Sequence, residues 1–339
     1  MTIYDVAKKA GVSITTVSRV INNHPYVREE TRQRVKALLK EMHFIPNSNA
    51  SSLVRKTTNT IAVIIPDVTN HFFTTLLRGI EDKSSENGLA VIFGNTDEEI
   101  QKEQTYIQMF MERRVDGLII APVSPKAKNL KSIIKREIPM VLVDREVPGL
   151  AVDVVVSDNQ RSAEKLVEHL IGLGHSQIAF ISGPKENSVN QQRFEGYRAA
   201  LQKFGIPLDE RMILHGDKPN KETGIRLTRV LLEQSLHPTA IFAANNFLAI
   251  GATTALQKAN LAVPGDMGIV CFDDNDSDSV LNPFFTSVNQ PAYLMGQMAM
   301  DLLQRQMKQK NIAPAKMILE CELHVRNSVG IGPNKVLCN

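Results

Sequence analysis

The sequence predicts a multidomain chain: an all-α helix-turn-helix head, a polar hinge, and an α/β body of two doubly wound parallel-sheet subdomains. Three observations predict it. Apolar residues recur at helical spacing through residues 2–45. Residues 46–58 are mostly small or polar and interrupt that spacing. From residue 60 onward, short apolar runs alternate with amphipathic windows of helical length, the pattern of parallel sheets covered on both faces. At roughly 100–200 residues per domain, the chain of 339 residues has room for two or three. The expected boundaries are 1–45 for the head, 46–58 for the hinge and 59–339 for the body. Within the body, one subdomain takes about 59–157 plus 290–317, and the other about 158–289 plus 318–331.

The first helix, 3–10, puts Ile3, Val6, Ala7 and Ala10 on one side. Thr2 with Asp5 resembles a capping box in which Asp replaces the usual Glu. Gly11-Val12-Ser13 ends that helix and starts the next. Gly accepts a left-handed turn, Val12 plugs the gap and Ser13 caps the new helix. In the second helix Val17, Val20 and Ile21 face inward, which leaves Ile14, Thr15, Thr16, Ser18, Arg19 and Asn22 largely outward. Short polar side chains and Arg at the start of a helix suit the major groove, and hydroxyls and helix ends suit phosphates. A third helix, 29–42, closes the small core with Val35, Leu38, Leu39 and Met42. A helical hairpin without any nucleic-acid role would share this pattern.

Charge adds an independent signal. Residues 1–58 hold ten Lys or Arg against four Asp or Glu, whereas the rest holds 29 against 32. A basic head on a mildly acidic body points to a polyanion, nucleic acid first; a merely solvated basic face is the alternative.

In the body, strands are expected at 61–66, 90–94, 117–121, 140–144, 154–156, 178–182, 212–214, 240–244 and 268–272. Helices are expected at 73–87, 162–173 and 190–204, among others. So many βα units exceed one compact sheet, so two sheets are expected. The late helix 294–307 and strand 317–325 then cross back to complete one or both. Ligands of such sheets bind at the carboxyl ends of the strands, where the subdomains face each other. No internal repeat is strong enough in the sequence to use.

Several classes are disfavoured. No GxGxxG follows a strand, and there is no P-loop, GxSxG elbow or metal-ligand cluster, so an enzyme is not expected, nor any cofactor. The three cysteines, Cys271, Cys321 and Cys338, form no CxxC pair and fit a reducing compartment. The first residues lack a charged and then apolar leader, and no apolar run approaches ~18 residues. A cytoplasmic protein without a membrane partner is therefore expected, and a secreted transport-type binding protein is not.

The runs Ile3-Tyr4-Asp5-Val6-Ala7, Ala10-Gly11-Val12-Ser13 and Thr16-Val17-Ser18-Arg19-Val20-Ile21-Asn22 resemble the signature of the lactose/galactose repressor (LacI/GalR) family. The likeness continues through Pro66-Asp67-Val68-Thr69-Asn70, Val115-Asp116-Gly117, Gly172-Leu173-Gly174-His175, Pro238-Thr239-Ala240-Ile241 and Phe272-Asp273-Asp274. It implies a periplasmic-binding-protein-like body and a DNA-binding regulator, by family default a repressor, acting as a homodimer on a pseudopalindromic operator. Ile14, Thr15 and Arg19 match base-contacting positions, and Tyr4, Ser13, Thr16, Ser18 and Asn22 match phosphate or groove contacts. Residues 47–53 resemble the family's hinge helix, which includes Ala50. Leu53 there matches a wedge inserted into the minor groove. Covering the body's first strand is the other reading of Leu53. Two positions depart from the pattern: Ser51 stands where Arg is frequent, and Arg28 where Ser often caps the third helix.

The resemblance also implies a small-molecule effector: a sugar, a sugar phosphate or a related acid. The cleft positions it implies are Asp67, Phe72, Phe73, Arg145, Arg193, Lys218, Asn245 and Asp273, together with Asn70 and Asp144. Such residues form a sugar-pocket kit of planar Arg forks, hydroxyl-accepting carboxylates and a Phe pair. Asn246, Cys271 and Lys218 depart from common family residues. Lys218 with Arg145 and Arg193 suggests a cationic cleft and an acidic or phosphorylated effector. The chain also resembles catabolite control proteins that bind a phosphorylated carrier protein, but Leu294 and Asp301 disfavour that partner, since Asp301 would repel a phosphoserine.

Overall fold

The computed structural model describes residues 2–44, 57–126, 128–234, 237–273, 284–309 and 312–334. Most of the hinge, with Ala50 and Leu53, lies outside the described residues. The chain separates into two compact units, Met1–Thr58 and Asn59–Asn339.

The first unit holds α1 (Ile3–Ala10), α2 (Ile14–Ile21) and α3 (Glu29–Glu41). Gly11 takes the expected left-handed conformation, with φ of 64°, which costs a residue without Cβ little. The Thr2 amide and hydroxyl both donate to the Asp5 carboxylate, at 2.7 and 2.9 Å. Ser13 Oγ accepts from the Thr16 amide at 3.2 Å. Val6, Ala7, Ala10, Val17, Val20 and Val35 form the core, and Leu38, Leu39 and Met42 pack against it. Arg28 occupies the N-cap of α3 without any side-chain cap bond, because a guanidinium has no acceptor to offer.

The second unit contains two six-stranded sheets. The first is built from β1 (Thr60–Ile65), β2 (Ala90–Asn95), β3 (Gly117–Ile120), β4 (Met140–Val143), β5 (Asp153–Ser157) and β11 (Lys316–Leu319). Its helices are α4 (His71–Glu86), α5 (Ile100–Glu112), α6 (Lys131–Lys135) and α11 (Ala292–Lys308). The second contains β6 (Ile178–Ser182), β7 (Ile213–His215), β8 (Ala240–Ala243), β9 (Gly268–Phe272), β10 (Thr286–Asn289) and β12 (Glu322–His324). Around it lie α7 (Asn159–Gly172), α8 (Ser188–Lys203), α9 (Lys221–Glu233) and α10 (Asn246–Lys258).

Strand pairing explains why the apolar runs do not alternate with polar residues. Ile61, Val63 and Ile65 pack under α4 and α11, while Ala62 and Ile64 pack with Ile107 and Phe110 of α5 on the other face. Both faces are covered, so every residue from Ile61 to Ile65 is buried.

Besides the unexpected strand β10, two features differ from the sequence reading. First, the sheets share one strand order: β11-β5-β4-β3-β1-β2 in one, and β12-β10-β9-β8-β6-β7 in the other, differing only in that β11 joins its sheet parallel and β12 antiparallel. The body is thus an internal repeat, carried by backbone topology instead of matching side chains. Second, the single expected strand 317–325 is two strands broken at 320–321, one given to each sheet. The crossing between subdomains therefore falls after Leu319, not at 317. The chain crosses three times in all: between β5 and α7, between β10 and α11, and between β11 and β12.

Candidate functional site

In the head, Ile14, Thr15, Arg19 and Asn22 are exposed along one side of α2, with Thr16 and Ser18 half-buried beside them. Tyr4 on α1 and Ser13 at the cap are also exposed. Ser13 and Thr16 face each other, Oγ to Oγ1, at 2.9 Å, and the Asn22 amide donates back to the Ser18 carbonyl at 2.8 Å. Ile14 is a solvent-facing aliphatic residue at the first position of the helix. That suits contact with a thymine methyl.

In the body, a cavity of about 380 Å³ opens between the two subdomains at the carboxyl ends of the strands. It brings together all eight residues named above: Asp67, Phe72, Phe73, Arg145, Arg193, Lys218, Asn245 and Asp273. Asn70 and Asp144 line it too. Four of its asparagines share one origin. Asn70, Asn187, Asn220 and Asn245 cap α4, α8, α9 and α10, each accepting a backbone amide hydrogen bond at 2.9–3.0 Å. Four strand-to-helix turns therefore aim helix N-termini at the cleft. Asn245 is committed at both ends, since its Nδ2 also donates to the Pro219 carbonyl at 2.9 Å.

Four of the cleft's charged residues, Asp144, Arg145, Arg193 and Asp273, are buried and paired. Arg193 donates through Nε to Asn159 Oδ1 at 2.9 Å and through Nη1 to the Ala244 carbonyl. Its guanidinium lies 3.7 Å over the Phe272 ring, and Asp273 is 3.9 Å away. Asp273 accepts from the Gln290 side chain at 2.7 Å and from its backbone at 3.2 Å. Burial pushes Asp273 up, against the pull of Arg193 and Gln290. Burial pushes Asp144 up to about 6, against Arg145 and Arg193. Burial lowers the Arg193 guanidinium, against Asp273 and Asp144.

Asp144 and Asp273 occupy equivalent places in the repeat. Each follows the fourth strand of its sheet, with φ of 66° and 63°, and each donates its amide to the fifth strand at 2.9 Å. A left-handed conformation at a non-glycine residue costs about 1–3 kcal/mol and collects at functional sites. Both subdomains use it to turn a carboxylate into the cleft.

Residues 2–47 match the family profile of bacterial regulatory proteins of the lacI type. Residues 58–326 match that of periplasmic binding proteins and the sugar-binding domain of the LacI family. The chain belongs to the LacI family of bacterial transcriptional regulators. The HTH-type transcriptional regulator DegA of Bacillus subtilis is 37% identical to it, covering 96% of this chain and 97% of that protein. Among solved structures, the lac repressor dimer bound to operator and the anti-inducer ONPF superposes with a TM-score of 0.85. It is 26% identical, over 97% of this chain and 99% of that one. The transcriptional regulator CelR in complex with cellobiose gives a TM-score of 0.74 at 29% identity, with the same coverage. Such relatives are regulators, not enzymes. Within this one, His175 is a buried structural residue, bonded to Thr239 Oγ1 at 2.9 Å and to the Gly330 carbonyl at 3.2 Å. No described helix is long and apolar enough to cross a membrane.

The cationic cleft expected for this LacI-family chain is not what the structure shows. Arg145 is forked onto Glu98, with contacts of 2.5 and 2.8 Å, and Arg193 is held by Asp273 and carbonyl groups. Only Lys218 among the three is exposed. Five carboxylates line the cavity, from Asp67, Asp97, Glu98, Asp144 and Asp273. Sequence reasoning missed Glu98, Asn187, Asn190, Asn220, Phe247 and Gln290. An Asn at each strand-to-helix turn was the available signal for Asn187 and Asn220. Nothing in the sequence pairs Glu98 with Arg145.

Proposed function

We propose that this LacI-family protein is a cytoplasmic repressor that binds a pseudopalindromic operator as a homodimer, under control of a small polyhydroxylated metabolite bound in the cleft. The cleft carries the reading: one cavity, walled by both subdomains, lined with carboxylates, amides and Phe72, Phe73 and Phe247. Its volume sits near the lower end of small-molecule sites, ~300–1,000 Å³. The cellobiose named for CelR and the dimer and operator named for the lac repressor support the same reading. One head offers a small interface, so specific binding calls for two half-sites. Residues 1–45 would then read DNA through Ile14, Thr15 and Arg19, positioned by Tyr4, Ser13, Thr16, Ser18 and Asn22. Residues 46–58 would act as the hinge, with Ala50 and Leu53 in the minor groove.

Selection from a random pool of duplexes with the full chain tests this. A two-fold symmetric site is expected. Arg19→Ala should relax the preference at one base position in each half-site, at a cost of about 1–3 kcal/mol. Leu53→Ala should weaken all sites alike and leave the outer bases unchanged. Retention without any symmetric motif, in the presence and absence of a panel of neutral sugars, would sink the dimeric-operator reading.

A further inference from the structure

The turn after β2 is built at a cost. Asp97 and Glu98 are consecutive non-glycine residues in the left-handed region, with φ of 52° and 59°. Each such residue is strained and persists only where its surroundings over-determine it. Here they do. Asn95 Nδ2 and Lys102 Nζ both donate to the Asp97 carboxylate, at 2.6 and 2.5 Å, and the Glu99 amide donates to the Thr96 carbonyl at 2.9 Å. The Val68 amide ties the turn to the opposite loop through Asn95 Oδ1 at 2.7 Å. The result is a Glu98 carboxylate set face to face with the Arg145 guanidinium, both lining the cleft.

We propose that Glu98 sets the charge class of the effector, by occupying the Arg145 guanidinium edge that would otherwise receive an anionic group and so biasing the cleft toward uncharged polyhydroxylated ligands. This rests on the cleft being the effector site. Four helix N-termini point at the cavity and favour negative charge there. An exposed Lys218 adds to that. Without Glu98, Arg145 would complete a planar anion receptor. With Glu98 in place, both fork nitrogens are already used, and an incoming carboxylate or phosphate would meet a fixed like charge. Arg145 also lies near Asp144, whose Oδ2 is 3.4 Å from Nε, and its Nη1 reaches the Pro122 carbonyl at 3.2 Å. Neither takes the bidentate face. The side-chain fork on Arg145 is therefore the decisive contact, and Glu98 is a specificity-determining residue.

The test uses sulfate, whose charge does not change across neutral pH, titrated calorimetrically into the full chain and into Glu98→Gln. Wild type should show no saturable sulfate site, and E98Q should gain one, at least ~10-fold tighter than any wild-type binding. The gain should vanish in E98Q combined with Arg145→Met. Glu98→Ser serves as a second route to the same vacancy if the Gln variant does not fold. Equal sulfate binding by wild type, or no gain in a folded E98Q or E98S, overturns the assignment. A thermal-shift panel of neutral sugars on wild type, run in parallel, reports on the cleft reading itself. Sulfate gain without any sugar response would overturn the effector assignment and leave only the narrower result that Glu98 blocks anions at Arg145.

Discussion

Asp144 is buried in the cleft wall, and its carboxyl sits well above the ordinary value of 3.8 that it regains on unfolding. The folded chain thus holds this proton more tightly than the unfolded chain. The stability that follows is fully present below 3.8 and is lost as pH rises through about 6. Asp144→Asn keeps the shape and removes the titration. Relative to D144N, wild type should lose about 2 kcal/mol between pH 4 and pH 7 in urea denaturation. A difference that stays flat over that window would show that Arg145 and Arg193 cancel the burial cost entirely. At this scale the cleft was largely legible by resemblance: all eight named residues line one cavity. Their partners were not. Glu98 lies 47 positions before Arg145, and a carboxylate in a turn reads as a solvated one until the fold closes on it.

Elements were mostly read correctly in kind, β10 (Thr286–Asn289) being a strand the sequence reading lacked, and less well at their ends. The helix windows opened late, at Phe73, Ser162 and Asn190, whereas α4, α7 and α8 begin at His71, Asn159 and Ser188. The true starts are set by Asn70, Asp158 and Asn187, whose side chains accept amide hydrogen bonds before any core position is reached. Helix pairing was beyond the sequence for another reason: it depends on residues with no side chain. A Cβ at Gly296 of α11 would lie 2.2 Å from the Leu76 carbonyl oxygen of α4, and one at Gly79 would lie 2.2 Å from that of Tyr293. The second subdomain repeats the device, with Gly224 and Gly251 bringing α9 and α10 equally close. Gly296→Ala must push two backbones apart and should cost about 1–3 kcal/mol or more. Gly172→Ala, at the open end of α7 with nothing within 4 Å, should be neutral or slightly stabilising. Matched denaturant midpoints for the two variants would show that backbone approach does not matter.

At the level of the whole body, the residues of the cleft and the chain crossings belong to one network. Asn159, just past the first crossing, holds Arg193 at 2.9 Å. Gln290, in the second, holds Asp273 at 2.7 Å. At the first crossing Ser157 Oγ meets Met295 Sδ of α11, which follows the second, at 3.3 Å. A ligand that engages Arg193 and Asp273 therefore pulls on the segments that set the angle between subdomains. Coupling needs only that the ligand prefer one such angle. Asn159 is buried and does not line the cavity, so it separates transmission from binding. Asn159→Ala should leave operator affinity without ligand near that of wild type, and ligand affinity without operator within a few-fold. It should reduce the change in operator affinity caused by a saturating neutral sugar by about 0.5–2 kcal/mol. Linkage supplies an internal control, because the operator must change sugar affinity by the same factor in each protein. Undiminished coupling in a folded N159A would mean that the cleft reports to the head by a route other than the first crossing.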